Sequence, residues 1–186
     1  MTVVGPDGQP RCGWATSAPE YIDYHDTEWG KEIRTDVALF ERMTLEGFQS
    51  GLSWITILRK RENFRTAFAH FDPETIAKFD DTDFDRLMAD PGIVRNRLKI
   101  NATINNARAL LELDDGEFTE LLWSFQPAKH KAPRTLGDVP ATTPESVAMS
   151  KALKKNGFVF VGPTTAYALM QATGIVNDHL KACIAR

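Results

Sequence analysis

The sequence predicts an all-α fold. Over most of the 186 residues, apolar side chains recur at the three-to-four-residue spacing of an amphipathic helix. Several of these stretches begin with a capping residue followed by proline, as at Asp72-Pro73 and Thr143-Pro144. Residues 157–161 alternate weakly like a strand but have no evident partner, so we expect an extended connector there.

Caps and helix breakers place the individual elements. Residues 1–10 contain two prolines and two glycines and are expected to form a flexible, frayed lead-in. Capping residues and helix breakers then predict helices over residues 17–26, 35–51, 53–68, 82–88, 96–113, 117–125, 143–156, 162–173 and 176–186, with a further cap at residues 72–74. We find no internal repeat, so residues 11–186 are expected to form a single unit.

The charge and cysteine content restrict the function. A formal net charge of −3 argues against a broadly basic surface, so a DNA-binding role needs local positive patches. Neither a signal peptide nor a membrane-spanning run is recognisable, which predicts a cytoplasmic protein with no membrane partner. In a reducing compartment the two cysteines are expected to be thiols or metal ligands rather than a disulfide.

Four potential metal ligands lie near the two ends of the chain: Cys12, His25, His179 and Cys183. His179 and Cys183 are four residues apart, which places them on one face of the predicted C-terminal helix. Two thiolates and two imidazoles match the ligand set of a closed structural zinc site. Two unrelated pairs of buried or capping side chains explain the same spacings, and the residues alone leave both interpretations open.

Collinear motifs along the chain resemble the 3-methyladenine DNA glycosylase I family. The most distinctive blocks are Arg11-Cys12-Gly13-Trp14, Tyr21-Ile22-Asp23-Tyr24-His25-Asp26-Thr27-Glu28-Trp29-Gly30 and Leu45-Glu46-Gly47-Phe48-Gln49-Ser50-Gly51-Leu52-Ser53-Trp54-Ile55-Thr56-Ile57-Leu58. Shorter matches fall at residues 92–100, 106–109, 122–125, 150–155 and 176–179. The resemblance therefore covers nearly the whole chain.

The resemblance implies a helix-hairpin-helix DNA glycosylase fold, with the hairpin subdomain around residues 36–125. It also implies that Cys12, His25, His179 and Cys183 hold a structural zinc that joins residues 11–35 to residues 126–186. The implied activity is monofunctional base excision repair, in which N3-methylated adenine is flipped out of alkylated double-stranded DNA and its glycosidic bond is hydrolysed. A monomer is expected, since it suits such an enzyme.

A cationic, planar base is bound well by aromatic faces and a carboxylate. Aromatic residues at helical spacing are by default core, and a single glutamate is by default a solvated side chain. The resemblance instead makes Glu46 the recognition residue, with Tyr24 and Trp54 as walls of the pocket. Trp14 and Tyr21 would line or support it, and Trp29 could serve packing alone. No carboxylate follows the hairpin within residues 96–108, so no residue is assigned to water activation.

The expected DNA contact is the glycine turn at residues 91–97, where the backbone of Gly92 and Ile93 would meet a phosphate. Arg95 and Arg97, together with Lys99, add positive charge, although a solvated helix face explains the same charges. Leu52 is a candidate plug for the gap left by the flipped base, or else a core residue.

Two other functions fit parts of the pattern. A non-catalytic, zinc-containing protein that binds DNA lesions would not need Glu46 beside Tyr24 and Trp54. A zinc hydrolase would need an open coordination position, which four ligands at one site do not leave.

Overall fold

The structure is a computed structural model and describes residues 1–186. Its elements in chain order are strands β1 (Thr2–Val4) and β2 (Pro10–Cys12), followed by helices α1 (Pro19–Thr27), α2 (Asp36–Gln49), α3 (Trp54–Ala67), α4 (Pro73–Ile76), α5 (Asp81–Ala89), α6 (Arg97–Leu111), α7 (Glu117–Trp123), α8 (Pro144–Lys155) and α9 (Pro163–Ala172). The predicted all-α class is confirmed, apart from the short N-terminal hairpin. None of the helices has both the length and the apolar composition that a membrane span requires.

Predicted capping side chains begin α4, α6 and α8, whereas Thr35 and Ser53 precede α2 and α3 without a side-chain cap hydrogen bond. Asn96 accepts a hydrogen bond from the N–H of Lys99 at the start of α6, and Asp72 accepts one from the N–H of Thr75 at the start of α4. Thr143 caps α8, whose first residue is the proline that the helix tolerates only there.

Helix α2 lies at the centre of the molecule, in contact with α3, α6, α7 and α9. It is buried almost all round, and its core side chains are Leu39, Phe40, Met43, Leu45 and Phe48. A polar residue on this helix is therefore enclosed by its neighbours. That position fixes the environment of Glu46.

The N-terminal residues are not the frayed lead-in that their prolines and glycines predicted. Strands β1 and β2 pair antiparallel, with Thr2 opposite Cys12, and Gly8 takes a φ of 79° in the turn between them. Arg11 anchors the hairpin, because its buried guanidinium pairs with Asp7 on one side and with Asp26 of α1 on the other.

The predicted helix over residues 176–186 is wrong. This segment forms turns, because some of its backbone N–H groups bond to distant carbonyls and those of Cys183 and Arg186 bond three residues back, not four. The N–H of Lys181 donates to the oxygen of Pro133 and that of Ile184 to the oxygen of Pro10. The C-terminal end is thus tied to β2 by non-local hydrogen bonds.

Residues 157–161 form the expected connector without regular structure, and Phe160 takes a φ of 62° there. Two apolar side chains at opposite ends of α6 face solvent, since Leu98 is 70% exposed and Leu111 is 46% exposed. Between these two residues, one face of the helix is buried from Lys99 to Leu110.

Candidate active site

A cavity of about 300 Å³ opens between α1, α2, α3 and α9. Its lining residues are Trp14, Tyr21, Tyr24, Trp29, Glu46, Gln49, Trp54, Ala168 and Gln171. Aromatic rings form most of the wall, and one carboxylate and two amides supply polar groups. A cavity of this size and composition suits a flat, polar-edged ligand.

The aromatic residues hold one another at defined angles. The ring centroids of Tyr24 and Trp54 lie 5.3 Å apart with a 41° tilt, and those of Trp14 and Tyr21 lie 5.4 Å apart nearly at right angles. The Tyr21 hydroxyl also accepts a hydrogen bond of 2.7 Å from the N–H of Ile55. Tyr21 thus joins α1 to the first turn of α3, the helix that begins with Trp54.

Glu46 is 5% exposed and lies among these rings. Burial raises the pKa of its carboxyl to about 7, opposed only by the charge of Arg42. No side-chain or backbone donor of the protein bonds to this carboxylate. A buried carboxylate without a partner is costly, so it favours a ligand that brings donors or positive charge.

A cluster of four potential metal ligands lies beside the cavity. The donor atoms of Cys12, His25, His179 and Cys183 all lie within 4.8 Å of one another, and all four residues are buried. Nδ1 of His179 is 3.1 Å from Nε2 of His25 and 3.6 Å from Sγ of Cys183. His179 and Cys183 lie close together although the predicted helix does not form, because the turn at residues 180–183 brings Cys183 back toward His179.

In both histidines of this cluster, the ring nitrogen that faces away from the thiols also contacts an acceptor. Nδ1 of His25 lies 2.7 Å from the Asp26 carboxylate, and Nε2 of His179 lies 2.9 Å from the carbonyl oxygen of Trp29. These contacts orient Nε2 of His25 and Nδ1 of His179 toward the thiols. Trp29 also lines the cavity, so the cavity and the cluster of potential metal ligands are in contact with the same residue.

Some backbone groups of the turn between α5 and α6 already have hydrogen-bond partners within the protein. The N–H of Gly92 donates to the Asp90 carboxylate over 2.7 Å, and Lys60 donates to the carbonyl of Pro91. The backbone N–H groups of residues 93–95 have no acceptor in the protein. The side chain of Ile93 is buried, whereas Arg95 and Arg97 are exposed.

Leu52 is 41% exposed on the loop that joins α2 to α3, directly beside the cavity residues Gln49 and Trp54. Lys99 does not add to the exposed charge. It is buried, and its ammonium donates to the carbonyls of Phe48 and Ser50, which end α2.

Comparison with known proteins places the chain in a family. Residues 14–186 match the family described as methyladenine glycosylase. The chain belongs to the methyladenine glycosylase family.

Relatives of this methyladenine glycosylase family member agree over nearly the whole chain. The DNA-3-methyladenine glycosylase 1 of Escherichia coli is 51% identical over 178 residues, covering 93% of this chain and 95% of the relative. The DNA-3-methyladenine glycosylase of Haemophilus influenzae is 49% identical, covering 93% and 96%. A crystal structure of a 3-methyladenine DNA glycosylase I superposes with a TM-score of 0.90 at 46% identity, over 95% of this chain and 99% of the other.

A further structure, of 3-methyladenine DNA glycosylase I from Staphylococcus aureus, addresses the recognition of 3-methyladenine. It superposes with a TM-score of 0.87 at 36% identity, over 94% of this chain and 95% of the other.

The fold of this methyladenine glycosylase brings the predicted base-binding residues to one cavity and the predicted metal ligands to one cluster. The sequence interpretation missed Gln49, Ala168 and Gln171. Gln49 carried a local signal, because it follows Glu46 by one helical turn on α2. Ala168 and Gln171 carried none, because α9 reaches the cavity only through its packing against α2.

Proposed function

We propose that this chain is a DNA-3-methyladenine glycosylase, which hydrolyses the N-glycosidic bond of N3-methylated adenine in alkylated double-stranded DNA. The observation that carries the proposal is the unpartnered Glu46 carboxylate inside an aromatic cavity. This chemistry fits a planar cation with hydrogen-bond donors on its edge. The relatives named above carry the same activity in their names.

Methylation at N3 leaves a positive charge delocalised over the adenine ring and weakens the bond between N9 and C1′. When that bond breaks, N9 keeps the bonding pair and the base leaves as neutral 3-methyladenine. The oxygen of a water molecule bonds to C1′, and the water gives up a proton to solvent. The leaving group is already activated, so the site needs chiefly to extract the base and recognise it.

In this proposal Glu46 accepts a hydrogen bond from the exocyclic amine of the flipped base. Tyr24 and Trp54 provide the ring faces, and Trp14 and Tyr21 support them. Neutral adenine would gain much less from the carboxylate and from cation–π attraction, so the pocket selects the methylated base by charge. Burial in the cavity strengthens both effects, because water screens them little there.

We further propose that Cys12, His25, His179 and Cys183 bind a structural zinc ion. Two thiols and two imidazoles suit zinc, and a tetrahedral site with bonds of about 2.0–2.3 Å needs donor atoms about 3.3–3.8 Å apart. The Cys183–His25 and Cys183–His179 contacts of 3.4 and 3.6 Å fall in that range. The His25–His179 and Cys12–His179 contacts of 3.1 and 4.0 Å lie just outside it, so shifts of a few tenths of an ångström would complete the site. The histidines already have oriented second partners. With four protein ligands the ion would serve stability and take no part in hydrolysis.

The zinc ion would join residues 11–35 to residues 126–186 in one lobe. Residues 36–125 would then carry the DNA-binding element, which we propose is a helix-hairpin-helix built from α5, the turn and α6. The unpaired N–H groups at residues 93–95 support this role, since such groups at a helix N-terminus bind phosphate. Gly92 would contribute its lack of a side chain, because a Cβ there would lie 2.9 Å from Asp90.

The test is to incubate the protein with methylated duplex DNA and to identify the released bases by chromatography. We expect free 3-methyladenine, and we expect Glu46→Ala to reduce its release while the zinc content stays unchanged. Binding of the methylated DNA without any base release would instead identify a lesion-binding protein and refute the proposal.

A further inference from the structure

One polar network at the cavity wall has no part in the function proposed above. Asp178 is 3% exposed and follows α9 in the chain. Its Oδ2 atom accepts hydrogen bonds from the Tyr167 hydroxyl at 2.6 Å and from Nε2 of Gln171 at 2.8 Å. Its Oδ1 atom lies 2.8 Å from Nε2 of His130. A buried carboxylate needs such donors, so these side chains are fixed around it.

Gln171 connects this network to the cavity. It lines the cavity together with Ala168, and it follows Tyr167 by four residues, so both side chains lie on the same face of α9. The hydrogen bond to Asp178 uses the amide nitrogen of Gln171. Its Oε1 atom has no donor in the protein and is not sealed off from solvent.

The Asp178 carboxylate determines which end of the Gln171 amide is left for the cavity. An inverted amide would set Oε1 against Oδ2 of Asp178, and two acceptors at hydrogen-bond distance repel. The nitrogen therefore stays on the network, and the oxygen is the polar atom left for a bound base.

We propose that Gln171, oriented by Asp178, is a specificity-determining residue whose Oε1 atom accepts a hydrogen bond from the exocyclic amine of 3-methyladenine. The inference rests on the proposed glycosylase function. Adenine carries an amine with two N–H bonds at the position where guanine carries a carbonyl oxygen. Glu46 and Gln171 each accept one of those hydrogens, whereas 3-methylguanine would place its carbonyl oxygen against acceptors. Gln171 is thus a contact residue for the base, and Asp178 is a positioning residue.

The decisive experiment measures two lesions in the same reaction. Duplex DNA treated with dimethyl sulfate contains both 3-methyladenine and 3-methylguanine, and chromatography gives the release rate of each. Gln171→Met keeps the side-chain length and removes the acceptor. We expect it to lower 3-methyladenine release about tenfold and not to lower 3-methylguanine release, whose carbonyl oxygen loses an opposing acceptor, so the ratio falls by about tenfold or more.

Asp178→Asn tests the positioning role separately. An asparagine both donates and accepts, so the Gln171 amide is free to turn over and loses its fixed direction. We expect the ratio of the two release rates to fall with this variant too, by about threefold to tenfold. Gln126→Met is the matched control, because Gln126 is exposed and does not line the cavity. Its ratio should equal that of the unaltered protein.

The outcomes separate this inference from the proposed function. An unaltered protein that releases neither base refutes the function itself. If it releases 3-methyladenine but Gln171→Met lowers both release rates equally, or neither, then Gln171 has no role in specificity and the inference is wrong. Melting temperature and quenching of tryptophan fluorescence by free 3-methyladenine check that each variant folds and binds. If Gln171→Met does not fold, the ratio for Asp178→Asn decides.

Discussion

The guanidinium of Arg42 donates a hydrogen bond of 3.1 Å to the hydroxyl of Tyr24. It also pairs with Glu28, whose carboxylate Arg61 holds from the other side. Arg42 lies one helical turn before Glu46 on α2, yet its hydrogen bonds go to Tyr24 and Glu28. It therefore supports the aromatic wall while leaving the Glu46 carboxylate open for a ligand.

This arrangement predicts the pH dependence of the reaction. The cationic base requires an ionised Glu46, and burial raises the pKa of that carboxyl to about 7. We expect kcat/KM for 3-methyladenine release to fall as the pH decreases below about 7, since this parameter follows ionisation of the free enzyme. A profile that stays flat down to pH 5 would show that Glu46 need not be ionised.

Replacing Arg42 should shift the acid limb of this pH profile, which is the range where kcat/KM falls as the pH decreases. The positive charge of Arg42 opposes the effect of burial on Glu46, so Arg42→Met is expected to raise the pKa of Glu46 further and shift the limb to higher pH. The pH profile of kcat/KM measures this shift. Arg59→Met is the matched control, because it also removes one arginine charge but from an exposed pair with Glu20. An equal shift in both variants would contradict a specific effect of Arg42.

Glu46 should also lower the stability of the fold at neutral pH. Because its pKa is raised from 4.5 to about 7, the folded state binds the proton more tightly than the unfolded state does. The stabilisation from this proton is full below pH 4.5 and is lost as the pH rises through 7. We expect Glu46→Gln to be more stable than the unaltered protein at pH 8, by up to roughly 3 kcal/mol, and nearly equal to it at pH 4.

Denaturant unfolding at both pH values measures this difference. Glu112→Gln makes the same chemical change at an exposed position and should alter stability little at either pH. If Glu46→Gln destabilised the protein equally at pH 4 and pH 8, its effect would come from packing rather than ionisation.

The helices were predictable because their signals are local. Asn96 and Thr143 cap α6 and α8 through hydrogen bonds that span three residues, so the sequence itself contains both partners. Glu46 and Gln49 also share a face of α2 by local spacing, but the family resemblance was needed to assign Glu46 to the site, and Gln49 was missed. Such features depend on the spacing of neighbours and need no knowledge of the remaining chain.

The features that the sequence could not predict depend on distant partners. The C-terminal residues form turns because Ile184 bonds to Pro10 and Lys181 to Pro133. Lys99 is buried on the end of α2 although its position in the sequence suggests a solvated cation. The ion pair of His130 with Asp178 likewise joins side chains 48 residues apart in the sequence. Only the three-dimensional packing reveals these pairings.

The metal cluster predicts a large effect of chelation. If Cys12, His25, His179 and Cys183 bind zinc, the purified protein should contain one equivalent, and Cys183→Ser should lose most of it. We expect a metal chelator to lower the melting temperature markedly, since metal bound only by the folded state contributes directly to stability. Elemental analysis and calorimetry measure the two effects.

The control for the metal cluster is His70→Asn. His70 lies outside the cluster, and asparagine tolerates its left-handed φ of 55°. This variant should keep its metal. Asp26→Ala tests the second contact of His25 and is expected to weaken metal binding about 10–100-fold. An unchanged metal content in Cys183→Ser would refute the site.

The proposed phosphate contacts predict the salt dependence of DNA binding. Arg95→Ala and Arg97→Ala should each weaken binding to any duplex and reduce the slope of log K against log salt concentration by about 1. Titrations at several salt concentrations measure the slope. Arg34→Ala removes an exposed arginine that pairs with Glu32 outside the turn, and it should leave the slope unchanged. Equal slopes in all three variants would place the DNA elsewhere.

Truncation of Leu52 tests whether this side chain fills the gap that the flipped base leaves in the DNA. It is 41% exposed beside the cavity, so truncation to alanine creates no cavity in the core and should change the melting temperature little. If the side chain fills the space left by the flipped base, Leu52→Ala should slow 3-methyladenine release from duplex DNA by about tenfold, because wedge contacts offset a few kcal/mol of unstacking.

The control variant Leu111→Ala removes a similarly exposed leucine at the far end of α6 and should release the base at the normal rate. Binding of free 3-methyladenine should be equal in both variants, since neither residue lines the cavity. A Leu52→Ala variant as fast as Leu111→Ala would assign the gap to another side chain.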